Sequence, residues 1–341
     1  MTAKHSNQAG KLILAGDIGG TKTLLLVAEV TGNQVRAVHE QRFSSAAYSS
    51  IVPMVHELIH ALPSVENPQR KIDFACFGVA GPINGRFAKL TNLTWSLDAD
   101  EIAKSCGFTH VKLINDFEAV GYGIEALEDD AFVTLQSGHL DAQGPRVVLG
   151  AGTGLGVCFL TLCGEHYQVF PSEGGHVDFA PAGELESALL GYLRNIFGHV
   201  SYERILSGSG LVTIYEFLLQ NNASQPPIEL KQAMQSGDAA ASVAAFALSG
   251  KDPLASEALD LFVKIYGAQA GNLALTLLTK GGVYVAGGIA PKIIERIKSG
   301  GFMQTFLDKG RYKPLLSNIP VNVIVNEKVG LLGAALVASR L

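Results

Sequence analysis

Short apolar runs separated by glycine-rich turns dominate the first part of the chain. Residues 11–16 and 23–30 are apolar and flank a turn at 17–21, which predicts two strands joined by a tight turn. Residues 49–62 place their apolar side chains on one face of a helix. Further apolar runs predict strands at 71–80 and 111–114 and a helix at 117–127. Because strands and helices are interleaved, this region is expected to be an α/β lobe.

The same order of elements occurs a second time, about 130 residues further along the chain. Residues 146–149 and 157–162 are apolar and flank a glycine turn at 150–156, which indicates an internal duplication. The later pattern predicts helices at about 184–198, 208–220, 228–248 and 254–279, a strand at 282–288, and a helix from about 291. We therefore expect a small α/β lobe of residues 1–127, completed by a C-terminal helix at about 328–341, and a large, helix-rich α/β lobe of residues 128–327.

The composition allows large buried cores and narrows the class of protein. Of the 341 residues, 48% are hydrophobic and 17% are charged, and the net charge is −5. No block of basic residues is present, so a protein that grips nucleic acid through its phosphates is not expected. The four cysteines form no Cys-x-x-Cys pair, which is typical of a reduced compartment.

One stretch raises the question of a membrane span. Residues 147–164 carry no charge and cover about 18 positions, close to the length of a spanning helix. Five of these residues are glycine, a composition that favours strand, turn and strand instead. Residues 1–11 are polar and lack the apolar segment of a signal peptide. We therefore expect a cytoplasmic protein without a membrane partner.

The two glycine turns, Asp17–Lys22 and Gly150–Gly154, are candidates for phosphate binding. The chain has neither the GxxxxGK[ST] loop nor the GxGxxG fingerprint. Glycine allows backbone N–H groups to approach an anion closely, and a threonine hydroxyl adds a donor. Asp17 would be the carboxylate that holds Mg²⁺ through water. Either turn alone is typical of an ordinary hairpin, whereas the pair together with Asp17 favours a polyphosphate site.

Asn115 and Asp116 follow a predicted strand, at the edge of an α/β sheet where function is usual. An aspartate at this edge can act as a general base, and the neighbouring asparagine can fix a substrate hydroxyl. The alternative is that Asp116 is the N-cap of the helix that follows, and for this pair alone the cap is favoured.

Three further polar groups have comparable alternatives. Glu173 and His176 flank two glycines, which suits a loop that presents both side chains to one ligand, although a plain surface turn fits equally well. Glu203 could bind a ligand, but a glutamate is also expected at this position if it only compensates the partial positive charge of a helix N-terminus. Asn92 lies beside the only tryptophan, Trp95, in a segment that also fits a simple turn.

The segment His56-Glu-Leu-Ile-His60 matches the HExxH pattern of zinc proteases. A catalytic zinc needs a third protein ligand and a water. Pro63 follows the pattern where a longer zincin helix would continue, and no Gly-x-x-His comes after it. A zinc hydrolase is therefore not favoured.

A series of segments, in order along most of the chain, resembles the bacterial glucokinase family of the hexokinase and actin-like ATPase superfamily. The segments are LAGDIGGTK (14–22), TNLTW (91–95), INDFEAV (114–120), GAGTGLGV (150–157), PSEGGHVDFAP (171–181), GHVSYERILSGSGL (198–211), GVYVAGGIAP (282–291), DKGRY (308–312) and GLLGAA (330–335). The resemblance implies a two-lobed actin-like ATPase (ribonuclease-H-like) α/β fold with a cleft between the lobes.

The resemblance also implies an activity, transfer of the γ-phosphoryl group of ATP to the 6-hydroxyl of glucose, with Mg²⁺. It makes Asp116 the general base, with glucose and Mg-ATP as partners and a homodimer as the expected assembly. The implied sugar-binding residues are Asn92, Asn115, Asp116, Glu173, His176 and Glu203. The implied ATP-binding residues are Gly16, Asp17, Ile18, Gly19, Gly20, Thr21, Gly152, Thr153, Gly154, Gly287 and Gly288.

Other functions stay open at this point. A kinase for mannose, fructose or glucosamine would show the same motifs, because contacts to hydroxyl groups cannot be ranked from the sequence. A non-catalytic sugar sensor is a second alternative, although it would have no need of Asp116. Related sugar-responsive repressors carry a cysteine zinc cluster after their Glu-x-Gly-His segment and an added DNA-binding domain, and this chain is expected to have neither. The C-terminal Ser339-Arg-Leu341 resembles a peroxisomal signal, which we expect to be a chance tripeptide.

Overall fold

The computed structural model describes residues 10–62, 71–90 and 95–341, and it divides the chain into two units. The first unit contains Met1–Asp129 and Asn326–Leu341, and the second contains Asp130–Val325. The second unit is continuous in sequence, whereas the first is completed by the C-terminal segment.

The strands in the described part of the chain are β1 (Lys11–Ile18), β2 (Lys22–Thr31), β3 (Gln34–Ser44), β4 (Phe74–Val79), β5 (Ile83–Asn84), β6 (Phe87–Lys89), β7 (Ser96–Asp98), β8 (His110–Asn115), β9 (Phe132–Gln136), β10 (Arg146–Ala151), β11 (Leu155–Cys163), β12 (His166–Ser172), β13 (Val283–Ala286) and β14 (Val321–Ile324). The α-helices in the same residues are α1 (Ile51–His60), α2 (Ala99–Cys106), α3 (Asp116–Gly123), α4 (Glu184–Phe197), α5 (Gly208–Asn221), α6 (Ile228–Ser236), α7 (Ala239–Leu248), α8 (Pro253–Leu277), α9 (Ile294–Lys298), α10 (Gly301–Leu307), α11 (Lys313–Leu316) and α12 (Val329–Ser339).

The first unit is built on a five-stranded sheet in the order β3-β2-β1-β4-β8. Strand β1 pairs antiparallel with β2 and parallel with β4, and β4 pairs parallel with β8. Because alternate side chains of a strand point to opposite faces, Leu14 and Ile18 join the core that includes α1, whereas Ile13 and Ala15 join the core that includes α12. The parallel strands β1, β4 and β8 therefore bring their carboxyl ends to one edge. The short strands β5, β6 and β7 form a separate antiparallel sheet.

Helix α12 packs against α3 with its backbone almost in contact. A Cβ atom at Gly333 would overlap the carbonyl group of Ala119, and one at Gly123 would overlap the carbonyl of Val329. Glycine is required at both positions because the two backbones approach so closely. Near the end of the chain, Arg340 binds the carboxylate of Glu125 at 3.0 Å. The C-terminal helix is thus an integral part of the first unit.

The second unit has a six-stranded sheet in the order β12-β11-β10-β13-β14-β9, packed with helices that include the long helix α8. Strand β10 pairs antiparallel with β11 and parallel with β13. Helix α8 begins at the N-cap Asp252, whose Oδ1 accepts hydrogen bonds from the N–H groups of Leu254 and Ala255. The other carboxylate oxygen of Asp252 accepts from the buried Tyr215 hydroxyl at 2.5 Å. Buried polar groups at the start of α8 are therefore paired, which stabilises its position in the core.

The prediction of an α/β chain is confirmed, and both predicted arrangements of strand, turn and strand occur, as β1 and β2 and as β10 and β11. The latter pair contains the uncharged stretch at 147–164. None of the helices in the described part of the chain is both long and apolar enough to cross a membrane.

Two predicted helices differ from the structure, and several observed elements were not predicted. The prediction of a single helix at 228–248 is wrong. The first helix ends at Ser236, and Asp238 caps a second helix by accepting a hydrogen bond from the N–H of Ala241 at 3.0 Å. The helix predicted from 291 is only a 3₁₀ turn, Ala290–Ile293, followed by the short α9. The apolar pattern also did not predict several further elements, namely β3, β5, β6, β7, β9, β12, β14, α2, α10 and α11.

Candidate active site

The glycine turn of the first unit joins β1 to β2 and is braced by two hydroxyl groups. Within the turn, the N–H of Gly19 donates to the carbonyl oxygen of Lys22 at 3.0 Å, and the N–H of Ser45 donates to the carbonyl oxygen of Thr21 at 3.1 Å. The hydroxyl of Ser45 donates to the carbonyl oxygen of Gly19 at 2.7 Å and lies 3.0 Å from the Thr23 hydroxyl. The turn is therefore held by hydrogen bonds within the first unit.

The residues expected to hold phosphate in this unit differ in position. Gly16 and Ile18 are buried inside β1, whereas residues 19–21 form the turn itself. A Cβ atom at Gly16 would lie 2.5 Å from Cδ1 of Phe77, so packing accounts for glycine at this position. Any contact that Gly16 makes with a ligand is restricted to its backbone.

Asp17 and Asp116 lie at the carboxyl ends of β1 and β8, the two parallel strands that flank β4. In the sheet register Asp17 is opposite Gly78 of β4, and the next residue of β4, Val79, is opposite Asn115 of β8. Gly78 has no side chain, and a Cβ atom there would be 3.8 Å from the Cα of Asp116. The two aspartates are thus brought to the same edge of the sheet, with a glycine between them.

The start of helix α3 corrects one expectation. Asn115, not Asp116, is the N-cap, because its Oδ1 accepts from the N–H groups of Phe117 at 2.9 Å and Glu118 at 3.2 Å. Asp116 is the first helical residue, and its Oδ1 accepts from the N–H of Phe117 at 2.8 Å. The interpretation of Asp116 as a cap is therefore wrong, and Asn115 serves as a cap whatever else it binds.

The environment of Asp116 favours a proton acceptor that works near neutral pH. Burial raises the pKa of Asp116 to about 6, and the negative charge of Asp17 adds to this rise. Hydrogen bonds from the backbone of Phe117 and the side chain of Asn115 lower the pKa and only partly offset burial. Burial also raises the pKa of Asp17, although the positive charge of Lys22 lowers it in part. A carboxylate with such a pKa is well matched to general base catalysis.

The glycine turn of the second unit joins β10 to β11 and is held by several elements. The N–H of Gly152 donates to the carbonyl oxygen of Gly154 at 2.8 Å, and the carbonyl oxygen of Gly152 accepts from the N–H of Gly208, at the start of α5, at 2.9 Å. The N–H of Leu155 donates to Oε2 of Glu203 at 2.9 Å. A carboxylate and a helix N-terminus thus support this turn, which includes Thr153.

The hydroxyl group of Tyr266, in α8, contacts the start of the same turn. Its hydroxyl accepts from the N–H of Ala151 at 3.0 Å and lies 3.3 Å from the carbonyl oxygen of Ala286, at the end of β13. Gly287 follows with φ +84°, and a Cβ atom there would overlap the backbone of Ala151. Gly288, by contrast, has open space around it. The two glycine segments expected to bind ATP in this unit are therefore adjacent, and one buried phenol contacts the strands before both.

Glu173, His176 and Glu203 are brought together in the second unit. His176 Nε2 lies 3.9 Å from Oε2 of Glu173 and 3.7 Å from Oε1 of Glu203. The side chain of Glu173 is 91% exposed, whereas that of Glu203 is only 31% exposed. The interpretation of Glu203 as a group that only compensates a helix N-terminus is wrong, because its carboxylate binds the N–H of Leu155.

The two loops that carry these three residues are joined along their backbones. The N–H of Phe179 donates to the carbonyl oxygen of Val200 at 2.9 Å, and the N–H of Tyr202 donates to that of Val177 at 3.1 Å. A Cβ atom at Gly175 would overlap the carbonyl group of Leu155, so this loop packs directly on the start of β11. The segment is therefore more constrained than a plain surface turn.

Asn92 and the two histidines of the HExxH segment are the other residues singled out by the sequence. Asn92 and Pro63 lie outside the described residues. Nε2 of His56 is 3.1 Å from the carbonyl oxygen of Ser105, and Nδ1 of His60 is 2.6 Å from that of His56. In residues 10–62, 71–90 and 95–341, no group of three or more His, Cys, Asp or Glu side chains is arranged to hold a metal ion.

Sequence reasoning missed Tyr266 and Ser45, which both support a glycine turn. Tyr266 lies in a strongly apolar helix, and a buried tyrosine normally finds a partner for its hydroxyl, so its presence there was a usable signal. Ser45 gave no comparable signal, because serine is common after a strand.

Comparisons with known proteins extend over both units. A family profile described as glucokinase matches residues 14–341. The chain is 45% identical to a glucokinase from Nostoc sp. (strain PCC 7120 / SAG 25.82 / UTEX 2576), in an alignment that covers 97% of this chain and 99% of the relative. Among solved structures it is similar to a glucokinase from an Antarctic psychrotroph, with a TM-score of 0.85, 29% identity, and coverage of 96% of this chain and 99% of the other. It is also similar to a Balamuthia mandrillaris glucokinase in complex with glucose, with a TM-score of 0.73, 25% identity, and coverage of 98% and 96%.

Proposed function

Because this chain belongs to the glucokinase family, we propose that it transfers the γ-phosphoryl group of ATP to the 6-hydroxyl of glucose, giving glucose 6-phosphate and ADP. Membership also confirms the predicted fold class, the actin-like ATPase (ribonuclease-H-like) α/β fold. The observation that carries the residue-level proposal is Asp116, a largely buried carboxylate at the sheet edge whose pKa is raised to about 6.

Asp116 is proposed to take the proton of the 6-hydroxyl as that oxygen attacks the γ-phosphorus of ATP. At neutral pH a carboxyl group with a pKa of about 6 is ionised in most molecules, yet it remains a stronger base than an ordinary aspartate. Asn115, which hydrogen-bonds Asp116 and caps α3, keeps this carboxylate in place. A positioned base contributes about 10²–10⁴-fold in rate.

Glu173, His176 and Glu203 are proposed to bind the sugar hydroxyls, and Asn92 and Asn115 are assigned to the same role on the resemblance. Carboxylate oxygens accept hydrogen bonds from hydroxyl groups, and an imidazole can donate or accept. A sugar that lacks one hydroxyl would leave a partner unpaired, which gives such a group of residues sharp selectivity. A preference for another hexose stays the alternative.

The glycine segments are proposed to bind ATP, with residues 16–21 and 152–154 at the phosphates and Gly287 and Gly288 near the adenosine. Support comes from the fixed turns, which keep backbone N–H groups in place before a ligand arrives. Phosphoryl transfer depends mainly on positioning and charge stabilisation, so pre-organised turns are the relevant device.

The carboxylates of the first unit fit a divalent cation. Burial raises the pKa of both Asp17 and Asp116, and the Asp17 charge further raises that of Asp116. A cation nearby would stabilise both carboxylates in their charged form. Mg²⁺ prefers oxygen ligands, keeps several waters and needs few protein groups. Asp17 would hold it through water. When bound with ATP, Mg²⁺ neutralises charge on the phosphate oxygens.

We further propose a cytoplasmic homodimer with no nucleic-acid or membrane partner. The net charge of −5 supports the first absence, and the dimer rests on the family resemblance. Light scattering coupled to size-exclusion chromatography measures the assembly directly, and a mass of one chain, 36.0 kDa, would contradict the dimer.

The proposed activity is tested by measuring ADP release with Mg-ATP and glucose, mannose, fructose, glucosamine or no sugar. Turnover that depends strongly on glucose is expected, with a loss of about 10²–10⁴-fold in kcat for Asp116→Ala. Glu118→Gln is the matched control, because Glu118 is also a largely buried carboxyl on α3 with a pKa raised by burial. Saturable glucose binding without turnover by the wild type would favour a sensor, and faster turnover of another sugar would favour that hexose.

A further inference from the structure

The carboxylate of Glu203 contacts the nucleotide turn and the sugar-binding residues at the same time. Oε2 accepts from the N–H of Leu155 at 2.9 Å, at the end of the glycine turn. Oε1 lies 3.7 Å from Nε2 of His176. With 31% of the Glu203 side chain exposed, the carboxylate is held by the protein yet still open to a ligand.

Gly154 supplies the space that this arrangement needs. A Cβ atom at Gly154 would lie 2.5 Å from Oε2 and 3.2 Å from Cδ of Glu203. The backbone of Gly154 is outside the left-handed region, so its conformation does not require glycine. Gly152, two residues earlier in the same turn, has no atom within 4 Å of its Cβ position. Room for the carboxylate is thus the structural reason for glycine at 154.

We propose that Glu203 is a positioning residue that couples sugar binding to the geometry of the nucleotide turn at 151–155. The inference rests on the proposed function, because it takes the ligand of Glu203 to be a sugar. A hydroxyl that donates to the carboxylate restricts the rotamers of Glu203, and the restricted carboxylate then holds the N–H of Leu155 and the turn before it. Binding of the sugar thereby strengthens a hydrogen bond that already holds the turn, and ATP then has less remaining motion of the turn to remove.

The coupling works in both directions, because linkage between two binding sites is reciprocal. Glucose is expected to tighten the binding of ADP about fivefold or more, and ADP is expected to tighten that of glucose by the same factor. ADP is the suitable probe because it forms no product with glucose.

The test is calorimetry on Gly154→Ala, with Gly152→Ala as the matched variant in the same turn. Because the added methyl displaces the Glu203 carboxylate, Gly154→Ala should raise the Kd of glucose, measured without nucleotide, about tenfold. The gain in ADP affinity with glucose should fall to nearly onefold. Gly152→Ala should keep the wild-type Kd of glucose, whatever its effect on ADP. An unchanged glucose Kd in Gly154→Ala, or an equal rise in both variants, overturns the proposal.

Glu203→Asp supplies an independent test if Gly154→Ala does not fold. Its shorter side chain cannot span both contacts, so the gain in ADP affinity with glucose should again be lost. If both variants fold, adding Gly154→Ala to Glu203→Asp should change the glucose Kd less than about twofold. The shorter aspartate already keeps its carboxylate away from the Cβ position of residue 154, so the added methyl has nothing to displace. A full gain in ADP affinity in Glu203→Asp, or a tenfold additive loss in the double variant, contradicts the coupling. Wild-type protein that does not bind glucose would instead overturn the proposed function, and the coupling with it.

Discussion

The two glycine turns, one in each unit, both join a pair of antiparallel strands but have different supports. The turn at 18–22 is braced by the hydroxyl groups of Thr23, in the strand that follows it, and of Ser45, 26 positions after Gly19. The turn at 151–155 is held by groups from distant parts of the second unit, including the carboxylate of Glu203 and the phenol of Tyr266. Each turn has a backbone hydrogen bond of its own, but the side chains that support the two turns are different.

The carboxylates near the two turns differ in a corresponding way. In the first unit, Asp17 and Asp116 are largely buried and their pKa values are raised, which for Asp116 suits the proposed proton transfer. In the second unit, Glu173 is exposed and Glu203 accepts a backbone hydrogen bond, which suits recognition of hydroxyl groups. The comparison teaches that burial, more than residue type, separates the two roles, and the following predictions test this separation.

Replacing Asp116 by asparagine should abolish most turnover and at the same time stabilise the protein. Asparagine keeps an oxygen for the N–H of Phe117 but carries no buried charge. Because the folded pKa of about 6 lies above the unfolded value of 3.8, the wild type loses stability as pH rises through this range, and above it the loss is about 3 kcal/mol at most. Chemical denaturation of Asp116→Asn at pH 8 should therefore show a higher free energy of unfolding, and the gain should vanish below about pH 4.

The ratio kcat/KM for glucose should fall on the acid side with an apparent pKa of about 6. Protonated Asp116 cannot accept the hydroxyl proton, so at pH 5 the ratio should be about tenfold below its plateau. Initial rates between pH 4.5 and 8.5, with a check that the protein remains folded at each pH, measure this limb. A ratio that stays constant down to pH 5 would remove Asp116 as the base.

Glu173→Gln should raise the KM for glucose about tenfold and change kcat little, since it weakens a hydrogen bond from a sugar hydroxyl and not the proton transfer. Steady-state kinetics at saturating Mg-ATP give both constants. Glu165→Gln, an exposed carboxyl in the turn between β11 and β12, serves as the control and should match the wild type in both. A change in kcat alone would place Glu173 in the chemical step.

The smallest effect is expected from the supports of the turns. Tyr266→Phe leaves the N–H of Ala151 without its partner and should raise the KM for ATP about fivefold, while the Kd of glucose stays unchanged. Tyr215→Phe removes another buried hydroxyl of the same unit and should lower stability without altering the KM for ATP. Ser45→Ala should have a weaker effect than Tyr266→Phe, because the carbonyl group of Gly19 is only partly buried.

Sequence reasoning succeeded where the signal is local. Strand, turn and strand could be read from apolar runs around glycines, and the positions of Asn115 and Asp116 followed from the end of a strand. The sequence-based alternative named Asp116 as the N-cap of α3, whereas the cap is Asn115, because asparagine and aspartate side chains are equally good caps. The burial that raises the pKa of Asp116 depends on the packing of neighbouring elements and has no local signature.

The misses have equally physical causes. Strand β3 has mostly polar residues along its length and lies at the edge of the sheet, so no apolar alternation marks it. The break between α6 and α7 is hidden because residues that favour helix lie on both sides of Gly237, with an alanine-rich run after it. The contact of Glu203 with Leu155 joins residues 48 positions apart, and no periodicity in the chain refers to it.

The position of helix α12 in the sequence determines when one core of the first unit can form during synthesis on the ribosome. Ile13, Leu26 and Cys76 are made early, but the apolar layer that covers them includes Ala334 and Leu336, which are made last. At about 5–20 residues per second, synthesis of the roughly 260 residues between Cys76 and Ala334 takes about 13–50 s, during which this face is uncovered. The second unit is continuous and can fold first. Nascent chains that stall before residue 329 should therefore depend on chaperones to keep their first unit from aggregating.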